Sequence, residues 1–121
     1  MLKKLLLVLA LSVLPLAGCG GGGSSQPPGS IKLTLTEFKF DPKSVDAHSG
    51  KVVFFLVNSG STSHDMVIAD SAGKVVAKSE LVQVGNSAVF TVDQLKAGSY
   101  VFYCDVAGHR ESGMEGKLQV S

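Results

Sequence analysis

Residues Gly98-Ser99-Tyr100-Val101-Phe102-Tyr103-Cys104 place Tyr100, Phe102 and Cys104 on one side of an extended chain and Val101 and Tyr103 on the other. A period of two with aromatic and β-branched residues is the pattern of a β-strand, and it delivers Cys104 to the interior face. The chain then breaks into Asp105-Val106-Ala107-Gly108-His109-Arg110-Glu111-Ser112-Gly113-Met114 and returns as a second strand over Gly116–Val120. Thiol, imidazole and thioether thus share one short loop at the edge of a sheet. Gly108 and Gly113 stand directly before His109 and Met114, where they let the backbone turn sharply and aim the two side chains.

Strand signals continue upstream. Ile31, Leu33 and Leu35 alternate with Lys32, Thr34 and Thr36, and Phe38 and Phe40 keep the same period until Asp41-Pro42 turns the chain. Val52–Val57 is a continuous apolar run between Gly50 and Asn58, short enough for a core strand. Further short segments lie at Met66–Ala69, Lys74–Lys78 and Ala88–Val92, whereas Ala77–Gly85 is compatible with a short helix, a strand continuation or a loop. About seven to eight strands punctuated by Gly, Asn and Ser predict an all-β Greek-key sandwich. Ala97-Gly98-Ser99 before Tyr100 has two readings: a tyrosine corner, with the hydroxyl bonded back to nearby backbone, or a plain core aromatic.

The first thirty residues do not belong to that sandwich. Met1-Leu2-Lys3-Lys4, the apolar run Leu5–Leu14, then Pro15 and the small residues Ala17 and Gly18 form the three parts of a secretory signal peptide, assigned to residues 1–18. The run is too short to span a bilayer, and Pro15 would break it. Leu16-Ala17-Gly18-Cys19 resembles the bacterial lipobox, which implies a lipid on Cys19 and an extracytoplasmic protein anchored to a membrane, in the periplasm or at the cell surface. An exposed free thiol is a liability in an oxidising compartment, which favours that reading. Residues 19–30 then comprise the lipidated Cys and a Gly/Ser/Pro linker; its eleven residues after Cys19 reach about 35 to 40 Å when stretched and ~18 Å on average. The folded unit is 31–121. A domain of this size buries only about 60 to 65% of its unfolded surface, so a bound metal would add to a slender stability.

The whole chain carries 11 basic against 10 acidic residues, and without Lys3 and Lys4 the balance is nine against ten. No basic run is present, so nucleic acid is not an expected partner. With Cys19 acylated, Cys104 has no disulfide partner and needs another reason to be there. Burial as a small hydrophobe is one reason; a metal is the other. His64 stands just before the Met66–Ala69 segment, and two His, one Cys and a weak axial Met are the ligands of a mononuclear blue copper site. Zinc also takes Cys and His, but it rarely uses a thioether such as that of Met114. His48, beside Ser49-Gly50, has no companion ligand in the sequence and reads as a solvent-exposed loop residue.

Gly98–Cys104, Gly108-His109 and Gly113–Val120 together resemble the C-terminal copper loop of the cupredoxin family. Four residues separate Cys104 from His109 and four more separate His109 from Met114, a spacing similar to that of auracyanins and rusticyanins and longer in its first half than in plastocyanins. Val57-Asn58-Ser59-Gly60 with Ser63-His64 is similar to the family's first ligand loop, so the resemblance extends from Ile31 onward. It implies His64, Cys104 and His109 as strong ligands, Met114 as the weak axial one, a type 1 copper ion as cofactor, and electron entry at the exposed edge of His109 within a rim of Val106, Ala107 and Gly113. Two departures stand out. Asp65 replaces the Asn that plastocyanins and azurins carry after the first His, and its charge would favour Cu(II) and lower the potential. Ala107 replaces the Pro found in many relatives. Tyr103, beside Cys104, reads as an outward aromatic packed against a loop rather than as an electron route.

The expected function is a membrane-tethered shuttle, a monomer carrying single electrons between redox proteins such as respiratory or photosynthetic complexes, without a small-molecule substrate. The alternative is extracytoplasmic copper handling, either delivery or buffering, although one thiolate on a buried face suits it less than exposed Met- and His-rich ligands would. An enzyme of the nitrite reductase or multicopper oxidase type needs more His than the three present. A metal-free sandwich would leave the Cys-His-Met loop without a purpose.

Overall fold

The computed structural model describes residues 24–121, so residues 1–18, read above as a signal peptide, Cys19 and residues 20–23 lie outside the described part. Nine strands follow one another: β1 (Ile31–Thr36), β2 (Lys39–Asp41), β3 (Ser44–Ala47), β4 (Gly50–Asn58), β5 (Val67–Asp70), β6 (Val75–Lys78), β7 (Ser87–Leu95), β8 (Gly98–Tyr103) and β9 (Glu115–Val120). They form a four-stranded sheet in the order β2-β1-β4-β7 and a five-stranded sheet in the order β3-β9-β8-β5-β6. The chain changes sheet repeatedly, with parallel pairs β1/β4 and β3/β9 among antiparallel ones. The all-β sandwich expected from the strand pattern is what forms.

Two elements differ from expectation. Residues 31–40 are a hairpin rather than one strand: the chain reverses at Glu37-Phe38, and Leu35 comes opposite Phe40. The two-residue turn shifts the inward positions from odd to even numbers by setting Phe40 opposite Leu35, so Leu33, Leu35 and Phe40 all reach the core while Phe38 is left 41% exposed at the tip. The added strand β3 has one large apolar residue, Val45, and is held by parallel pairing to β9, a long-range bond that no local pattern announces. The ambiguous Ala77–Gly85 contains the end of β6 and a loop in which Val82 bridges to His64.

Leu33, Leu35, Phe40, Phe54 and Leu56 of the first sheet meet Ile68, Phe102 and Leu118 of the second in one core. Phe40 and Phe102 interlock edge to face at 5.1 Å, joining the sheets next to the strand that ends at Cys104. The hydroxyl of Tyr100 donates to the Lys96 carbonyl at 2.7 Å, so the tyrosine corner is the reading that holds. Of the stretch expected as linker, Ser24–Ser30 is described: Ser30 closes a turn onto the Pro27 carbonyl, and the Ser24 carbonyl accepts a hydrogen bond from the Ser87 hydroxyl on β7.

Candidate metal centre

Two loops distant in sequence converge at one end of the sandwich. His64 lies in the β4–β5 loop and is fixed by a two-way backbone bridge to Val82, with N···O distances of 3.1 and 2.8 Å. Asn58 shapes that loop from within. Its amide donates to the carbonyls of Thr62 (2.8 Å) and Val82 (2.9 Å), and its Oδ1 accepts from Gly60 N–H at 2.9 Å. The second loop is closed by bonds among the residues it presents: Cys104 N–H donates to the Met114 carbonyl and Met114 N–H to the His109 carbonyl, both at 3.1 Å. Gly108 and Gly113 have φ of 80° and 106°, so the turning role read for them holds.

The result is a small triangle of donors. His64 Nδ1 is 3.1 Å from His109 Nδ1, and Cys104 Sγ is 3.8 Å and 3.5 Å from these two nitrogens. A point at the centre of a triangle with those edges lies about 2.0 Å from each corner, the reach of metal–imidazole bonds and slightly short of metal–thiolate ones. The residues present therefore fit a single ion without rearrangement. His64, Cys104 and Met114 are fully buried, and His109 is 7% exposed, so the His109 ring alone of the four reaches the surface. Met114 is joined to Cys104 and His109 through its backbone, with its thioether enclosed in the core beside them. His48 is exposed and bonds Ser121, away from the cluster.

Burial pushes the Cys104 thiol up, aided by the nearby Asp65 carboxylate against backbone donors at Asp65 and Val106. Burial also lowers the pKa of His64, with His109 acting in the same direction and the hydrogen bond to Glu37 opposing it. Both shifts favour the neutral forms of Cys104 and His64, so a metal bound by the thiolate displaces the thiol proton.

Asp65 links the two loops. Its Oδ1 accepts from Asp105 N–H at 2.7 Å, tying the two ligand loops together. The charge is offset by Lys78, whose ammonium stands 2.6 Å from Asp105 Oδ2 and 3.9 Å from Asp65 Oδ2. The hydrogen bond to Asp105 and its charge raise the Lys78 pKa. Nothing local in the sequence links Lys78 to residues 65 and 105. Tyr103 packs under Arg110, whose guanidinium carbon is 3.8 Å from the ring centroid, which agrees with its reading as an outward aromatic.

Two further neighbours carry no sequence signal. Phe38 at the β1–β2 turn sets its ring edge-on to His109, centroids 5.0 Å apart, and joins the half-buried Val106 and the exposed Ala107 and Gly113 around that ligand. Glu37 reaches His64 Nε2 at 3.1 Å. Burial acts to raise the Glu37 pKa, but the N–H groups of Ser61 and Thr62 outweigh it and bring it down to about 2.

A nine-stranded sandwich with buried His, Cys and Met at one end defines a class, and the comparisons agree. The cupredoxin-like domain model matches residues 5–120, and the chain belongs to that family. It is similar to the copper-resistant cuproprotein CopI of Rubrivivax gelatinosus, 26% identical over 116 residues, covering 82% of this chain and 70% of the relative. Among solved structures it is similar to reduced auracyanin from Roseiflexus castenholzii (TM-score 0.68, 21% identity, 83% of this chain and 99% of that one). Auracyanin A from Chloroflexus aurantiacus, described as a "blue" copper protein, superposes with TM-score 0.65 at 22% identity over 77% of this chain and all of that one.

Proposed function

We propose that the protein is an extracytoplasmic, membrane-tethered carrier of single electrons, holding one type 1 copper ion on His64, Cys104 and His109 with Met114 as the weak axial ligand. The observation that carries this reading is the buried donor triangle, already sized for one ion and closed on all sides but the His109 edge. The copper would supply a one-electron Cu(I)/Cu(II) couple, with thiolate and thioether favouring the reduced ion and imidazoles accepting both. Everything else is the work of the chain. The Val82 bridge, Asn58 and Asp65 hold the ligand loops in one geometry, so little has to move when the charge changes. The His109 edge, flanked by Phe38, is the route by which a redox protein partner reaches the site. The carrier works as a monomer and takes no small-molecule substrate.

The full chain, loaded with Cu(II), is expected to show an intense band near ~600 nm that ascorbate bleaches, together with a reversible one-electron wave. A colourless protein that binds only zinc or Cu(I) would overturn the electron-carrier reading. A second reading, copper handling, is favoured by the similarity to a copper-resistance cuproprotein. It predicts rapid loss of copper to a competing chelator, whereas a carrier keeps its ion through many redox cycles.

The tether is proposed from Leu16–Cys19. Cys19→Ala is expected to move the protein from the membrane fraction to the soluble one, as read by fractionation and immunoblot. Unchanged membrane association would rule out a lipid on Cys19.

A further inference from the structure

Glu37 is a carboxylate at the tip of a surface hairpin, yet its Oε1 is crowded with donors. Ser61 N–H (2.7 Å), Thr62 N–H (2.9 Å), the Thr62 hydroxyl (3.2 Å) and His64 Nε2 (3.1 Å) all point to that one oxygen. The hairpin lies 24 or more residues from this loop in the chain, so the fold has built the approach. Gly60 leaves the room for it: a Cβ there would come within 2.5 Å of Glu37 Oε1 and 2.8 Å of His64 Nε2. Phe38, next in sequence, contacts the other imidazole, His109.

We propose that the β1–β2 turn is a positioning element of the metal centre, in which Glu37 locks His64 as the Nε2–H tautomer and tunes it as a ligand. A carboxylate only accepts, so the His64 Nε2 facing it carries the proton. In a neutral imidazole that leaves the Nδ1 lone pair free, and Nδ1 is the atom turned to Cys104 Sγ and His109 Nδ1. A negative partner behind a ligating His raises its basicity and favours the more highly charged metal ion. The turn thereby joins the first sheet to both ligand loops. Phe38 and Glu37 meet one imidazole each.

The tuning half of this inference rests on the copper reading, and the tautomer half does not. Glu37→Gln in the full chain keeps an acceptor and removes the charge. It is expected to retain the blue band and to weaken Cu(II) relative to Cu(I) by about tenfold, which is about 59 mV upward for a one-electron couple. Asp93→Asn, an equal charge change on exposed β7, serves as the control and is expected to leave the ratio unchanged. A Glu37→Gln ratio within twofold of the parent would overturn the tuning role, even if melting temperature fell. In the metal-free chain, imidazole nitrogen NMR is expected to show His64 as a single, slowly exchanging Nε2–H tautomer that becomes mixed in Glu37→Ala. A mixture already present in the parent would overturn the positioning role. A parent chain that binds no copper would sink the copper reading alone, and this NMR comparison would still decide for or against Glu37.

Discussion

Cys104→Ser is expected to abolish the blue band of the copper-loaded chain while leaving the sandwich folded. The colour of such a site comes from a thiolate bound to copper, and Cys104 is the free cysteine described, fully buried at the corner of the donor triangle. A serine hydroxyl keeps the shape but is a hard donor that ionises far less readily than a thiol. The fold should survive because the new hydroxyl is not orphaned: the imidazole nitrogens that stand 3.8 and 3.5 Å from Sγ can accept from it after a small shift. Visible absorption and copper content per chain check the expectation, with melting of the metal-free protein as the folding control. A band near ~600 nm that persisted in the variant would exclude Cys104 as the ligand.

The ligand set was legible because its chemistry is concentrated. Cys104, His109 and Met114 lie on one loop between two strands of period two, and a second imidazole before an apolar segment left few ways to complete the set. The structure brings His64, Cys104 and His109 together and buries Met114 beside them. What escaped the sequence is what only the fold creates. The hairpin at Glu37-Phe38 moves the inward positions from odd numbers (Leu33, Leu35) to an even one (Phe40), a shift of phase that marks a break without saying that the chain reverses there. Strand β3 depends on parallel pairing with residues more than 70 positions away. The hairpin bears directly on the site, as does the pairing of β6 with β5. Once the chain reverses at residue 37, Glu37 and Phe38 are carried from a presumed strand to the two imidazoles, and Lys78 reaches Asp65 and Asp105 only because β6 lies beside β5. The Asn-to-Asp change read as a lowering of the potential is therefore partly screened by an ammonium that the local sequence does not associate with it.

Gly116→Ala is expected to be the most destabilising single methyl that can be added near the site, lowering stability by about 3 kcal/mol and the melting temperature by on the order of 10 to 20 °C. Gly116 pairs with Phe102 across β8 and β9, and a Cβ there would overlap both the Phe102 ring and the Lys43 carbonyl. The ring cannot retreat freely, since its face is held edge-on by Phe40 at 5.1 Å. The carbonyl cannot either, since it accepts the 2.8 Å bond from Lys117 N–H next to the β3/β9 pairing. One methyl thus pushes on the core contact between sheets and on the added strand together. Phe102 is two residues from Cys104 and Gly116 two from Met114, so the same displacement should widen the copper loop and weaken metal retention in parallel with the melting temperature. Thermal unfolding of the metal-free variant checks the first effect and copper retention under a chelator the second. Phe102→Leu combined with Gly116→Ala should cost less than the two changes summed, because the smaller side chain removes one of the two overlaps. An unchanged melting temperature in Gly116→Ala would mean that β9 can shift without loss, and that the loop it anchors is not held by the packing of Phe102.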